Sequence, residues 1–143
     1  MSPEVPMPGT WMRMESLTAD ECLRLLADKP VGRVGFWGPD GPQVLPVNHA
    51  VVSGNVVFRL AAHTAMAQAL RDSTVAFEVD DIDDLTQTGW SVLVVGRSEY
   101  VDDQTAMTET WGHRLPDPWA PGVRTLVVRV VTDRVSGRRI RPT

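Results

Sequence analysis

Between Val31 and Val101 the chain alternates apolar and polar residues in short runs, and each run ends at a turn signal. This period of two belongs to half-buried β-strands. The clearest run is 74–80, where Val75, Phe77 and Val79 share one face while Ala76 and Glu78 take the other. Val31 to Trp37 alternates in the same way, with Val34 and Phe36 together. Gly38-Pro39-Asp40-Gly41-Pro42 then reads as a turn, and Gln43 to Val52 as a strand bent or lying at an edge near Pro46, because proline cannot donate to a ladder. Ser53-Gly54-Asn55 is a hairpin turn, after which Val56, Phe58 and Leu60 point inward and Val57 and Arg59 point the other way.

Further along, the four aspartates of 80–84 read as a solvated loop. Trp90 to Val101 forms a long strand whose middle, Val92-Leu93-Val94-Val95, is apolar on both faces and therefore needs cover on both sides. Val123 to Val131 and Arg134 to Arg141 read as two final strands, preceded by a Pro-rich loop over 115–122.

Helical signals are few. Thr18 stands where an N-cap would, Glu21 lies three residues on, and Leu17 and Cys22 occupy the hydrophobic-staple positions. Cys22, Leu25 and Leu26 follow helical spacing, and Pro30 stops the helix at about Asp28. A second short helix is expected from Thr64 to Arg71, with Met66 and Leu70 facing in, and a third over 103–112. Six or seven strands with two or three short helices between them argue for a mainly β fold, an antiparallel and partly closed Greek-key barrel. Helices do not follow each strand in turn, which argues against a parallel α/β architecture. Residues 1–16, rich in Pro and Met, read as an extended arm, and residues 17–143 as one domain.

Composition removes several function classes. The chain of 143 residues carries a net charge of −4, a poor basis for binding nucleic acid. No apolar run approaches the roughly 18 residues of a membrane span. Cys22 is the single cysteine, so an internal disulfide and a CxxC metal site are both impossible, and a cytoplasmic location is expected. His49, His63 and His113 share no metal motif, and the acidic run lacks the spacing of a calcium loop. No metal site is expected. Ser136-Gly137 lacks the surroundings of a nucleophilic serine.

Several segments in a shared order carry a resemblance: Val44-Leu45-Pro46-Val47-Asn48, the hairpin through Gly54, Val56-Val57-Phe58-Arg59, the corner at His63-Thr64, Thr88-Gly89-Trp90-Ser91-Val92, Pro118-Trp119-Ala120-Pro121-Gly122-Val123-Arg124, and Val135-Ser136-Gly137-Arg138-Arg139. Together, over about residues 17–141, they resemble the flavin-binding split barrels of the pyridoxamine 5'-phosphate oxidase-like superfamily, and most of all its small stand-alone members of the nitroimidazole-resistance type. The resemblance implies a homodimer with flavin mononucleotide (FMN) at the subunit interface, and electron or hydride transfer between a reduced nicotinamide and a small organic acceptor. Some relatives use the deazaflavin F420, some bind heme, and some hold no cofactor.

Carried onto this chain, the phosphate falls to Arg59, His63 and Thr64, and the ring edge to Pro46, Val47 and Asn48. Trp90, Ser91 and Trp119 would cover the ring or the substrate, and Arg124 would stabilise charge on the reduced ring. Each has a plainer reading: a cap for Thr64, an exposed loop histidine for His63, a surface or ion-paired arginine for Arg59 and Arg124, and packing for the tryptophans. No catalytic acid or base is assigned, because the cofactor carries the hydride. The chain departs from the family at Ala65, where flavin-binding relatives commonly carry a basic residue. A missing charge-assisted bond there is worth roughly 1.5–3 kcal/mol.

Overall fold

In the computed structural model, which describes residues 12–101 and 126–142, seven strands and two short helices follow one another in the order β1 (Met12–Ser16), α1 (Ala19–Asp28), β2 (Val31–Gly38), β3 (Gly41–Val52), β4 (Asn55–Leu60), α2 (Ala65–Ala69), β5 (Asp72–Asp83), β6 (Thr88–Tyr100) and β7 (Leu126–Pro142). All pairings are antiparallel. The sheet runs β1-β7-β4-β3-β2-β5-β6, and β7 also pairs with β6. That last pairing closes six strands into a ring and makes the mainly β split barrel expected from the sequence. The expected helix over 103–112, the Pro-rich loop, Trp119, Arg124 and the first eleven residues of the arm lie outside the described residues.

Strand alternation sorts the side chains into two sets. Val34, Phe36, Val56, Phe58, Leu60, Val75, Phe77, Val79, Val92, Val94, Val128 and Val130 fill the barrel. Phe58 and Phe77 stack there with ring centroids 6.2 Å apart. The α1 helix adds Cys22 and Leu26 to the same core. Its start is the expected capping box: the Glu21 amide donates to Thr18 Oγ1 at 3.2 Å, and the Thr18 amide donates to the Glu21 carboxylate at 3.4 Å. Pro30 then returns the chain to an extended course, and the Lys29 ammonium reaches Asp81 at 3.0 Å.

A second, smaller cluster lies on the outer face: Val52, Val57, Val101 and Val127, with Ala50 against it. Beside it Arg129 and Glu99 form an ion pair at 2.6 Å.

Four local expectations need correction. Residues 12–16, assigned to the extended arm, form a strand paired with Ser16↔Arg138 through Met12↔Pro142 of this same chain. The aspartates at 80–83 belong to β5, paired from Asp80↔Ser91 to Asp83↔Thr88, and only 84–87 turn. There Asp83 accepts the amides of Leu85 and Thr86, which uses an aspartate as a turn-former. The two final strands are one, β7, carrying a bulge: Val95 pairs with Arg134 and Gly96 with Thr132, leaving Asp133 as the extra residue. A bulge shifts the inward and outward positions by one, so Val128 and Val130 face in before it and Val135 faces in after it. The α2 helix is also shorter than expected; Leu70 is its C-cap and is fully buried.

Candidate functional site

The outer face of β3 and β4 gathers part of the expected cofactor set. His49 pairs with Phe58, and continuing that register by one residue sets Asn48 beside Arg59. Both residues are half-buried and both point away from the core, because their neighbours His49 and Phe58 point into it. Pro46, opposite Arg33 on β2, faces the same way and is exposed. Val47 alternates to the inside and packs against the barrel core, so only its backbone borders this surface.

His63 and Thr64 follow at the corner after β4. His63 is exposed and holds φ 64°, a left-handed conformation that histidine adopts mainly at turns. The Thr64 hydroxyl caps α2 by accepting the Ala67 amide at 3.0 Å and donates its own proton to the Ala61 carbonyl at 3.1 Å. The plainer reading of Thr64, a cap, therefore describes its visible contacts. With five residues, α2 also offers little dipole to an anion. Tyr100 of β6 donates its hydroxyl to the Ala67 carbonyl and pins this short helix to the barrel.

The indole of Trp90 does not join this group. It shares the inward face of β6 with Val92 and Val94 and packs against the main core. Ser91, one residue on, points outward. The Arg33↔Glu78 pairing, carried along two residues, aligns Val31 with Asp80, and Asp80 pairs with Ser91. Asn48 pairs with Val31, so Ser91 shares a row with Asn48. It sits three strands away, about 14 Å at ordinary strand spacing.

Ser91 instead lines a groove of about 560 Å³ with Met14, Ser16, Glu78, Leu93, Ser136 and Arg138. Sequence reasoning missed this cluster. Its members come from four strands, and no motif joins them. The Glu78 carboxyl is pushed up to about 7 by burial, then by a hydrogen bond with Asp80 and by the Asp80 charge, against the opposing pull of Arg33.

His49, the buried histidine, belongs to the fold. Its Nε2–H donates to the Leu26 carbonyl at 2.7 Å, its ring meets Phe77 edge-on at 4.9 Å, and burial lowers its pKa. Among the described residues no group of three His, Cys, Asp or Glu side chains is placed to hold a metal ion. None of the described helices is long and apolar enough to cross a membrane.

A family model described as pyridoxamine 5'-phosphate oxidase matches residues 18–139, which is most of the chain. The chain belongs to this family. Among curated members, an uncharacterized protein of Mycobacterium tuberculosis is 36% identical over 138 residues, covering 93% of this chain and 90% of that one. Among solved structures, an FAD-binding protein from Mycobacterium smegmatis is 32% identical with a TM-score of 0.77, covering 89% of this chain and all of that one. A conserved protein of unknown function from Corynebacterium diphtheriae is 30% identical with a TM-score of 0.73, covering 88% and 97%.

Proposed function

We propose that this protein binds a flavin nucleotide on the outer face of β3 and β4 and uses it, as a homodimer, to pass electrons between a reduced nicotinamide or F420 and a small organic acceptor. The observation that carries the reading is the side-by-side placement of Asn48 and Arg59 on that face, in a family whose Mycobacterium smegmatis relative binds FAD. A guanidinium offers a planar fork to a phosphate, and an amide can donate or accept at a ring edge. These residues suit the group: Arg59 and the exposed His63 would hold the phosphate, while Asn48 and Pro46 would border the ring. The flavin supplies the hydride chemistry; the chain binds it, orients it and keeps water from it. FMN is the form implied by the sequence resemblance, and FAD the form bound by the relative.

The dimer reading has its own support. The outer face of β2, β3, β5 and β6 carries an apolar groove of about 340 Å³ lined by Gly35, Trp37, Pro42, Val44, Ala76 and Val95. Trp37 is 73% exposed and Val44 69% exposed. Large apolar side chains left in water this way mark an interaction surface.

Ala65 and the capping role of Thr64 favour a second reading, a non-catalytic module that carries a flavin, F420 or heme, or nothing. Titration with FMN and FAD, followed by flavin fluorescence, tests the binding. Arg59→Gln removes one charge-assisted bond and should weaken affinity roughly tenfold or more. An unchanged affinity would move the phosphate away from Arg59. Bleaching of the bound flavin by a reduced nicotinamide would then separate the enzyme from the carrier.

A further inference from the structure

The groove that sequence reasoning missed holds a chemically complete set of groups. Its floor is the β6–β7 ladder, where Leu93 pairs with Ser136 and Ser91 with Arg138. Its rims are Glu78 on β5 and the Met14 and Ser16 side of β1. The short side chains of Ser91 and Ser136 leave that floor flat. Gly137 adds no bulk, because its open side turns inward, where a Cβ would lie 2.7 Å from Cys22 Sγ. The volume of about 560 Å³ falls within the range of small-molecule sites. Arg138 is exposed and pairs with no carboxylate among the described residues, unlike Arg13, Arg97, Arg129 and Arg141.

We propose that this groove is a second ligand site, separate from the flavin surface, and that it takes a small planar carboxylic acid: the Arg138 guanidinium holds the carboxylate, the Ser91 and Ser136 hydroxyls bond along the flat floor, Leu93 and Met14 cover the apolar part, and Glu78, whose proton is given to Asp80, closes the rim as a neutral group that does not repel the ligand. An acid fits better than an amine because of the charges that face the groove. Arg138 on β7 is the cation of the lining, the β6 and β1 positions contribute no charge, and Glu78 keeps a proton through burial and through Asp80, which with Arg33 borders it from outside the lining. A ligand thus meets a cation, two hydroxyls and an acid that still carries its proton. Burial and the Asp80 carboxylate hold that proton to about pH 7.

The test uses the full chain as purified, with benzoate as probe and benzylamine as control. Isothermal titration at pH 6 and pH 8 gives affinities, and amide chemical shifts locate the site. Benzoate stays ionised at both values, so any pH dependence belongs to the protein. If the protonated form of Glu78 binds, affinity should fall about tenfold from pH 6 to pH 8, following the fraction of competent protein. Glu78→Gln should abolish that dependence, Arg138→Gln should weaken benzoate binding at least tenfold, and Arg138→Lys should restore part of it. Shifts should centre on Ser91 and Ser136 and spare Asn48 and Arg59. Benzoate that fails to saturate, an affinity indifferent to Arg138→Gln, a pH dependence that survives Glu78→Gln, or tighter binding of benzylamine would each overturn the proposal. Failure of flavin to bind would leave these readings intact, so the two accounts stand or fall separately.

Discussion

Glu78→Gln should stabilise the protein at neutral and alkaline pH and leave it unchanged in acid. The Glu78 carboxyl titrates at about 7 in the folded chain against an ordinary 4.5. An acid with a raised folded pKa binds its proton more tightly when folded. Below pH 4.5 both states are protonated and the residue costs nothing. As pH climbs from 4.5 to 7 the unfolded chain ionises while the folded chain resists, and stability falls. Above 7 the folded carboxyl ionises too and the penalty is constant. The gap of about 2.5 pH units would correspond to roughly 3.4 kcal/mol at 1.36 kcal/mol per unit. Glu78 is only half-buried, and solvent screens its contact with Asp80, so a discounted value of about 1 kcal/mol is appropriate. Glutamine matches the side chain in shape and never ionises. Thermal melts at several pH values, read by circular dichroism, should show the variant and the wild type coinciding near pH 4. They should separate by about 3–4 °C above pH 7, with the variant higher. A gap independent of pH would show that the influences on Glu78 cancel, and a variant that melts lower at pH 8 that attraction to Arg33 outweighs burial and Asp80; either would refute the reasoning.

Other consequences are as direct. Thr18→Ala removes the acceptor for the Glu21 amide and should cost about 1 kcal/mol in chemical denaturation, while Thr18→Ser should cost much less. A Cβ at Gly32 would sit 2.3 Å from Phe77 Cζ, with the Glu78 carbonyl at 3.0 Å, so Gly32→Ala should destabilise by about 1–3 kcal/mol in the same assay. Light scattering should give the mass of a dimer at micromolar concentration, and Trp37→Glu on the exposed apolar face should yield monomers that still fold.

Legibility in the sequence followed the range of the interactions. The capping box at Thr18 and Glu21, the stop at Pro30 and the hairpin at Ser53-Gly54 are decided within a few residues, and each reads correctly from the chain alone. Inward sets such as Val75, Phe77 and Val79 are legible because a strand has a period of two. Long-range pairing is not legible in this way. The aspartates at 80–83 look like a loop until Ser91, Trp90, Gly89 and Thr88 pair with them. Residues 12–16 look like a free arm until the end of β7 lies beside them. One unpaired residue, Asp133, joins what read as two strands and resets which side chains face out.

The candidate site divides on the same line. Arg59 was legible as facing away from Phe58, and the β3–β4 register then sets Asn48 beside it. Trp90 carries aromatic character that suggests a cofactor contact, yet its parity with Val92 and Val94 turns it into the core. The groove of Glu78, Ser91, Ser136 and Arg138 had no local signature, because its members are brought together only by the barrel.

The central claim, that this family member holds a flavin on its β3–β4 face, is tested most directly by the protein purified from its native host. Its absorption spectrum, and the mass of the ligand released on denaturation, would identify what it carries. The account predicts flavin-type absorbance and a flavin or deazaflavin released in proportion to the chain. A colourless protein that also takes up no added FMN, FAD or F420 would contradict it.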